Sequence, residues 1–190
     1  NDGLQSTADL QNMIFLSAER SRGSYQDTAD AVSKLGLMAG DAFSSSEEII
    51  AFTEQLNKQF TIAGTDASGI SAAMLQLTQA MGSGVLRGEE FNSIMEQAPN
   101  IIDSIATYMG VAKGELKALA GEGKITADIV KNAMFATAEE TNAKFNSMPK
   151  TFSQIGTSIK NTALMAFIPL QDRLSQLANS DVFTSLVNSI

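Results

Sequence analysis

Residues 44–64 read SSSEEIIAFTEQLNKQFTIAG, and the order of polar and apolar residues in this stretch decides the fold class. Three serines precede two glutamates, so Ser45 with Glu48 fits a capping box, in which hydroxyl and carboxylate satisfy reciprocal backbone N–H groups. Ile49, Phe52, Leu56, Phe60 and Ala63 then recur every three or four residues, which keeps them on one helical face for about four turns. Gly64 closes the run. The spacing predicts a capped amphipathic helix.

The same period extends in both directions. Upstream, Thr7 to Arg22 carries Leu10, Met13, Ile14 and Leu16, and Tyr25 to Ala39 carries Ala29, Val32, Leu35 and Leu37. Downstream, Asp66 is placed to cap a helix through Ile70, Ala73, Met74, Leu77 and Met81, with Gly82-Ser83-Gly84 as its end. Phe91, Ile94, Met95 and Ala98 stripe another, which Pro99 breaks. Ile101, Ile102, Ile105, Ala106 and Met109 resume the pattern before Gly110. A short helix over Glu115 to Ala120 is followed by the turn Gly121-Glu122-Gly123. Thr126 is the next N-cap, with Asp128 in the first turn and Ile125 and Val130 spaced for a hydrophobic staple. That helix is expected to run through Met134 to Phe145 and stop before Pro149. Ile155, Ile159, Leu164 and Phe167 mark a further helix, followed by Leu170, Leu174 and Leu177, then by Phe183, Leu186, Val187 and Ile190. The fold class is therefore all-α: a compact multi-helix domain of about eight or nine helices over 1–150, with a helical C-terminal extension over 151–190.

Composition narrows the chemistry. The 190 residues include no His, no Cys and no Trp. Serine and cysteine hydrolases that rely on a His base are thereby removed, as are Cys-type zinc and iron–sulfur sites. Hydrophobic residues make up 44% and charged residues 18%, which is the balance of a folded chain and not of a disordered one. The net charge of −8 argues against a nucleic-acid binder, which needs a basic footprint. It is uneven: residues 1–95 hold 12 acids and 5 bases, residues 96–190 hold 9 and 8. The longest apolar run, Ala163 to Leu170, contains Pro169 and is too short to span a bilayer. Asn1 in place of Met, and an end inside an apolar pattern at Ile190, are read as the ends of a segment of a longer chain.

Three motifs invite a catalytic or binding reading. Gly121, Gly123, Lys124 and Thr126 suggest a phosphate loop, but Ala118 stands where its first Gly belongs and Ile125 follows the Lys. A tight turn capped by Thr126 accounts for the same residues. Val111 to Phe135 suggests a DNA-binding helix pair through Lys113, Lys117, Lys124 and Lys131. Glu115, Glu122 and Asp128 interleave with these lysines, and no Arg lies between Arg87 and Arg173 to read a guanine. Adjacent carboxylates at Glu47/Glu48, Glu89/Glu90 and Glu139/Glu140 diverge by about 100° on a helix, so neither member of a pair faces the other. The nine Met residues fall largely on apolar stripes and serve as core filling.

One block resembles a known family. Leu86-Arg87-Gly88-Glu89-Glu90-Phe91 and Glu96-Gln97-Ala98-Pro99 are similar to the signature of phage and prophage tail tape measure proteins, in their N-terminal tape measure domain. Gly110-Val111, Gly114-Glu115-Leu116-Lys117 and Glu122-Gly123-Lys124-Ile125-Thr126 continue the resemblance. Gly40-Asp41-Ala42-Phe43 and Gln76-Leu77-Thr78-Gln79-Ala80 extend it upstream, Lys150-Thr151-Phe152-Ser153-Gln154 and Asn161 downstream, so that it covers about 5–165. It implies a structural protein with no cofactor and no metal, acting in tail assembly and in setting tail length. The implied partners are tail tube protein, tail assembly chaperones, distal tail or initiator proteins and further copies of the chain, with no sequence-specific nucleic acid. The implied locations are the tail lumen of the virion and, during assembly, the host cytoplasm.

Carried over position by position, the motif residues are expected to be structural. Arg87 ties the loop at 84–88 to a carboxylate. Gly88 belongs to that loop, and Glu89 and Glu90 are favourable in a helix's first turn. Phe91 anchors the core and Pro99 sets the angle to the following helix. Gly110, Gly114 and Gly123 supply turns, and Thr126 caps. Two other readings stay open from sequence alone: a generic helical interaction domain of a larger secreted or toxin-associated protein, and a His-free carboxylate enzyme.

Overall fold

The computed structural model describes residues 7–178, with side-chain surroundings through residue 169. Ten α-helices follow one another: α1 Thr7–Arg20, α2 Tyr25–Ala39, α3 Ser46–Ala63, α4 Ala67–Ser83, α5 Gly88–Gln97, α6 Pro99–Met109, α7 Lys113–Gly121, α8 Ala127–Ala136, α9 Ala138–Ser147 and α10 Phe152–Ala178. A 3-10 turn, Gly40–Ala42, joins α2 to the loop before α3. The described residues are all-α, as the periodicity predicts. The helix expected over Phe183 to Ile190 lies outside them.

Local chemistry explains most boundaries. Ser45 Oγ accepts the Glu48 N–H, so α3 starts where the serine run predicts. The reciprocal arm differs from the expected box: Glu48 Oε2 reaches one residue further back and accepts from the N–H and hydroxyl of Ser44. Asp66 caps α4 through the Gly69 N–H at 2.8 Å. That helix runs through Gly82 to Ser83, and Gly84, left-handed at φ +81°, ends it. Gly82 serves packing instead, because a Cβ there would stand 2.6 Å from the carbonyl oxygen of Met38. The close approach of α2 and α4 therefore depends on a missing side chain.

The helix count exceeds the expected eight or nine. A single helix through Phe145 becomes α8 and α9, separated at Thr137 (φ −96°, ψ 7°). The Thr137 hydroxyl donates to the Ala133 carbonyl at 2.9 Å, a back-bond that competes with continuing the helix. No Gly or Pro marks the site.

α3 is the central helix, touching α1, α2, α6, α8 and α9. Phe52, Leu56 and Phe60 are fully buried, as the stripe predicts, although Ala63 at its end is exposed. Burial does not stop at one face: Thr53, Glu54, Gln55, Lys58 and Gln59 are enclosed too. Enclosed polar groups require partners. Gln59 Nε2 donates to Ser104 on α6 and to Thr141 on α9, and Lys58 Nζ donates to Glu54 and to Asn142. On α2, Leu35 is buried but Leu37 is 87% exposed, correcting the expectation that both pack. Two residues apart on a helix they diverge by about 200°, so one face cannot hold both.

Candidate functional site

The motif segments that lie far apart in sequence meet in space. Val85 and Thr126 form an isolated antiparallel bridge, in which the Leu86 N–H donates to the Ile125 carbonyl at 2.8 Å and the Ala127 N–H donates to the Gly84 carbonyl at 2.9 Å. Gly84 and Gly123 (φ +68°) supply the left-handed turns that bring the two loops alongside each other. Leu86 and Ile125 point inward and are fully buried. Thr126 caps α8 through the Ile129 N–H, and Ile125 and Val130 are both sealed in the core. The phosphate-loop lookalike is thus one half of a loop-to-loop clasp.

The remaining motif residues are distributed along the helices that follow. Gly88 is the first residue of α5, Glu89 and Glu90 occupy its first turn, and Phe91 is fully buried. Pro99 begins α6, where its missing N–H costs nothing, and Ala98 (φ −149°, ψ 73°) makes the corner with α5. Gly110 ends α6 in the left-handed conformation and donates its N–H to the carbonyls of Ala106 and Thr107. Two expectations need correction. Among the described residues Arg87 makes no ion pair; it is the exposed N-cap residue of α5. Gly114 makes no turn, because it lies inside α7.

None of these residues lines the two apolar grooves. One groove of about 660 Å³ is bordered by Leu10, Ile14, Val32, Leu37, Phe43 and Ile49. The other, about 390 Å³, lies between α2 and α4 and includes Met38, Met74 and Leu75. Nor do the adjacent carboxylates assemble a reaction centre. Glu48 is held below the usual carboxylate range, first by the Ser44 N–H, against a smaller desolvation penalty, with help from the Ser44 hydroxyl and Lys131. Glu139 and Glu140 are exposed in the first turn of α9.

A corner that periodicity does not mark joins the two ends of the described chain. Asn161 on α10 is 1% exposed. Its Nδ2 donates to Glu19 Oε1 and to the Gly23 carbonyl, each at 2.9 Å, and its Oδ1 accepts the Tyr25 N–H at 2.8 Å. Ser158 Oγ adds a bond to the other oxygen of Glu19. Beside this latch Arg22 is held left-handed (φ 57°), with its guanidinium 4.4 Å above the Phe145 ring and donating to the Met148 carbonyl at 2.9 Å. Asn161→Ala is expected to leave the Tyr25 N–H and the Gly23 carbonyl without their partner, at about 1–3 kcal/mol each if they stay buried. The measurable outcome is faster limited proteolysis between Met148 and Phe152, with the melting of the α1–α9 body little changed. Unaltered cleavage would remove the latch role.

α10 packs on α1 by that polar face, so the sequence stripe of Ile155, Ile159 and Phe167 is not its packing face. These residues are 44%, 67% and 63% exposed, and Leu164 is half-buried. Among the described residues no helix is long and apolar enough to cross a membrane.

The geometry defines a structural helical module, whose motif residues join helices and loops to one another. The family model of the tape measure protein matches residues 1–172, and the chain belongs to that family. It is a phage tail tape measure module; the family is of a structural, non-enzymatic kind, and membership implies a component of the virion tail. Comparison with curated proteins and with solved structures gave no match.

Proposed function

We propose that this module contributes to tail assembly and tail-length determination through protein–protein contacts, as a compact head attached to an extended helical ruler. The observation that carries the reading is the family match itself, which spans residues 1–172 and so reaches into α10. A ruler is physically simple: a continuous helix advances 1.5 Å per residue, so its length is written directly in its sequence. The helices α1–α9 cannot serve that purpose, because caps and left-handed glycines fold them back on one another; α10, with 27 residues, spans roughly 40 Å. The division proposed is a body over 1–150 and an extension over 151–190.

In this reading the motif positions Arg87, Gly88, Glu89, Glu90, Phe91, Pro99, Gly110, Gly114, Gly123 and Thr126 shape the body, and the body engages tail initiator or distal tail proteins and assembly chaperones in the host cytoplasm. Tail tube protein then polymerises around the extended part, which comes to lie in the tail lumen. An in-frame deletion of the body, in a phage that carries this chain, is expected to give tailless particles or tails of variable length by electron microscopy. Normal tails of uniform length would overturn the proposal.

A further inference from the structure

Alone among the described helices, α4 carries no charged residue, although Ser71, Ala72, Leu75 and Gln79 are exposed on it. A solvated helix face ordinarily bears charge, and depletion of charge distinguishes the centre of an interface. α4 stands beside α2, pinned to it where Gly82 meets the Met38 carbonyl. Along the rest of their lengths the two helices leave the groove of about 390 Å³, whose apolar residues are Ala31, Met38, Ala67, Ile70, Met74 and Leu75. Met38 and Leu75 are each about half exposed. Methionine side chains are unbranched and adapt to the shape of what they meet. From Asp27 to Met38 the groove follows α2 for roughly 16 Å, three helical turns. Charge is confined to its edge. Asp27 and Asp30 stand along α2, and Asp66 caps α4 immediately before Ala67. The single base that lines the groove, Lys34, is paired to Asp30 at 2.7 Å. The rim is therefore acidic.

We propose that the groove between α2 and α4 takes a basic amphipathic helix of a partner protein. Apolar side chains spaced i, i+3 or i+4, and i+7 would fill the floor, and lysines or arginines would flank them along the rim. Charge complementarity selects this occupant. A second copy of the chain would bring the same excess of acid, since residues 7–149 hold 18 acids and 10 bases. Like charges set against each other across an interface suppress that pairing, whereas opposite ones steer a partner in. The groove bordered by Leu10, Leu37 and Phe43 has no charged residue along it and makes no such selection. An uncharged floor also strands no ion when it is covered.

The proposal deepens the assembly reading by giving the body a docking face, and rests on that reading only for the partner's place in a tail. Its test uses the 190-residue chain in solution, so failure here leaves the deletion experiment in the phage to be judged by itself. The probe is a fluorescent Leu/Lys peptide of about four helical turns, with Leu on one face, beside its Leu/Glu counterpart. Fluorescence anisotropy is expected to show saturable binding of the Leu/Lys peptide alone. Leu75→Gln is expected to weaken that binding about tenfold, with an unchanged circular dichroism melt of the body. Leu37→Gln, in the other groove, is expected to leave it unaltered. Asp27→Asn combined with Asp30→Asn should weaken it as well and flatten its dependence on salt. A chain that binds neither peptide, binds both alike, or keeps its affinity in Leu75→Gln would overturn the proposal. So would a dimer of the chain alone that Leu75→Gln dissociates in sedimentation, because a second copy would then be the occupant.

Discussion

Phe91→Ala is expected to destabilise the body by about 3–5 kcal/mol, while Arg87→Ala, four residues earlier in the same motif, changes stability by no more than about 0.5 kcal/mol. The two residues belong to one short sequence block but to different environments. Phe91 is fully buried in the core that also contains Leu86, Ile94 and Ile125, so truncation removes its transfer energy and leaves a cavity. Arg87 is exposed and has no carboxylate partner among the described residues. For a domain of this size the Phe91 change corresponds to a fall in melting temperature of roughly 6–20 °C. Thermal melts of the two variants beside the parent chain would decide it. A Phe91→Ala melt within a degree or two of the parent would show that the core does not depend on this anchor.

The second large effect comes from the ion pair inside α3. Glu54 and Lys58 lie one turn apart and both are nearly enclosed, with Lys58 Nζ 2.7 Å from Glu54 Oε1. The more exposed Arg20 reaches in from α1 to Glu54 Oε2 at 2.7 Å. Burial by itself pushes the Glu54 carboxyl up, but hydrogen bonds from Arg20 and Lys58, together with their charges, more than offset it and hold the group below its usual range. Glu54→Ala leaves the Lys58 ammonium enclosed with Asn142 as its remaining hydrogen-bond partner and the Phe145 ring 5.8 Å away, and the expected cost is about 3–5 kcal/mol. Replacing both members, as Glu54→Leu with Lys58→Met, is expected to cost less than the sum of the single changes, because neither charge is then stranded.

The same pair sets a pH dependence. A carboxyl whose folded pKa is depressed adds stability that is fully present above its unfolded value and is lost as pH falls through the folded value. Stability of the parent chain should therefore decline as pH is lowered from about 5 toward 3, and part of that slope should vanish in Glu54→Gln. Glu48, depressed as well, accounts for a further share in the same window. Denaturation midpoints measured across that range provide the check, and an identical slope in the variant would exclude Glu54 as a contributor.

The parts of the fold legible in the sequence are those fixed by neighbours in the chain. Ser45, Asp66 and Thr126 cap because a hydroxyl or carboxylate meets an N–H three residues on, and Gly64, Gly84 and Gly110 stop helices because they adopt the left-handed conformation locally. What periodicity conveys is that a helix has an apolar face, not whether the chain covers it. Periodicity therefore marks Leu37 and Ile159 for packing although both are exposed. The break at Thr137 rests on a single hydroxyl back-bond, with no Gly or Pro to announce it. The resemblance implies a carboxylate partner for Arg87 that the described residues do not bring to it. Asn161 stands out in the sequence only as a matched position, since its bonds depend on residues more than 130 positions away.

That distance gives the Asn161 latch an order in time. The Gly23 carbonyl and its partner amide are separated by 138 residues. At the usual 5–20 residues per second of synthesis, roughly 7–28 s pass between their appearance. Throughout that interval the first helical corner has emerged while the residue that fastens it has not been made. Fastening must therefore be a late event of synthesis, and it occurs only when translation has proceeded into α10.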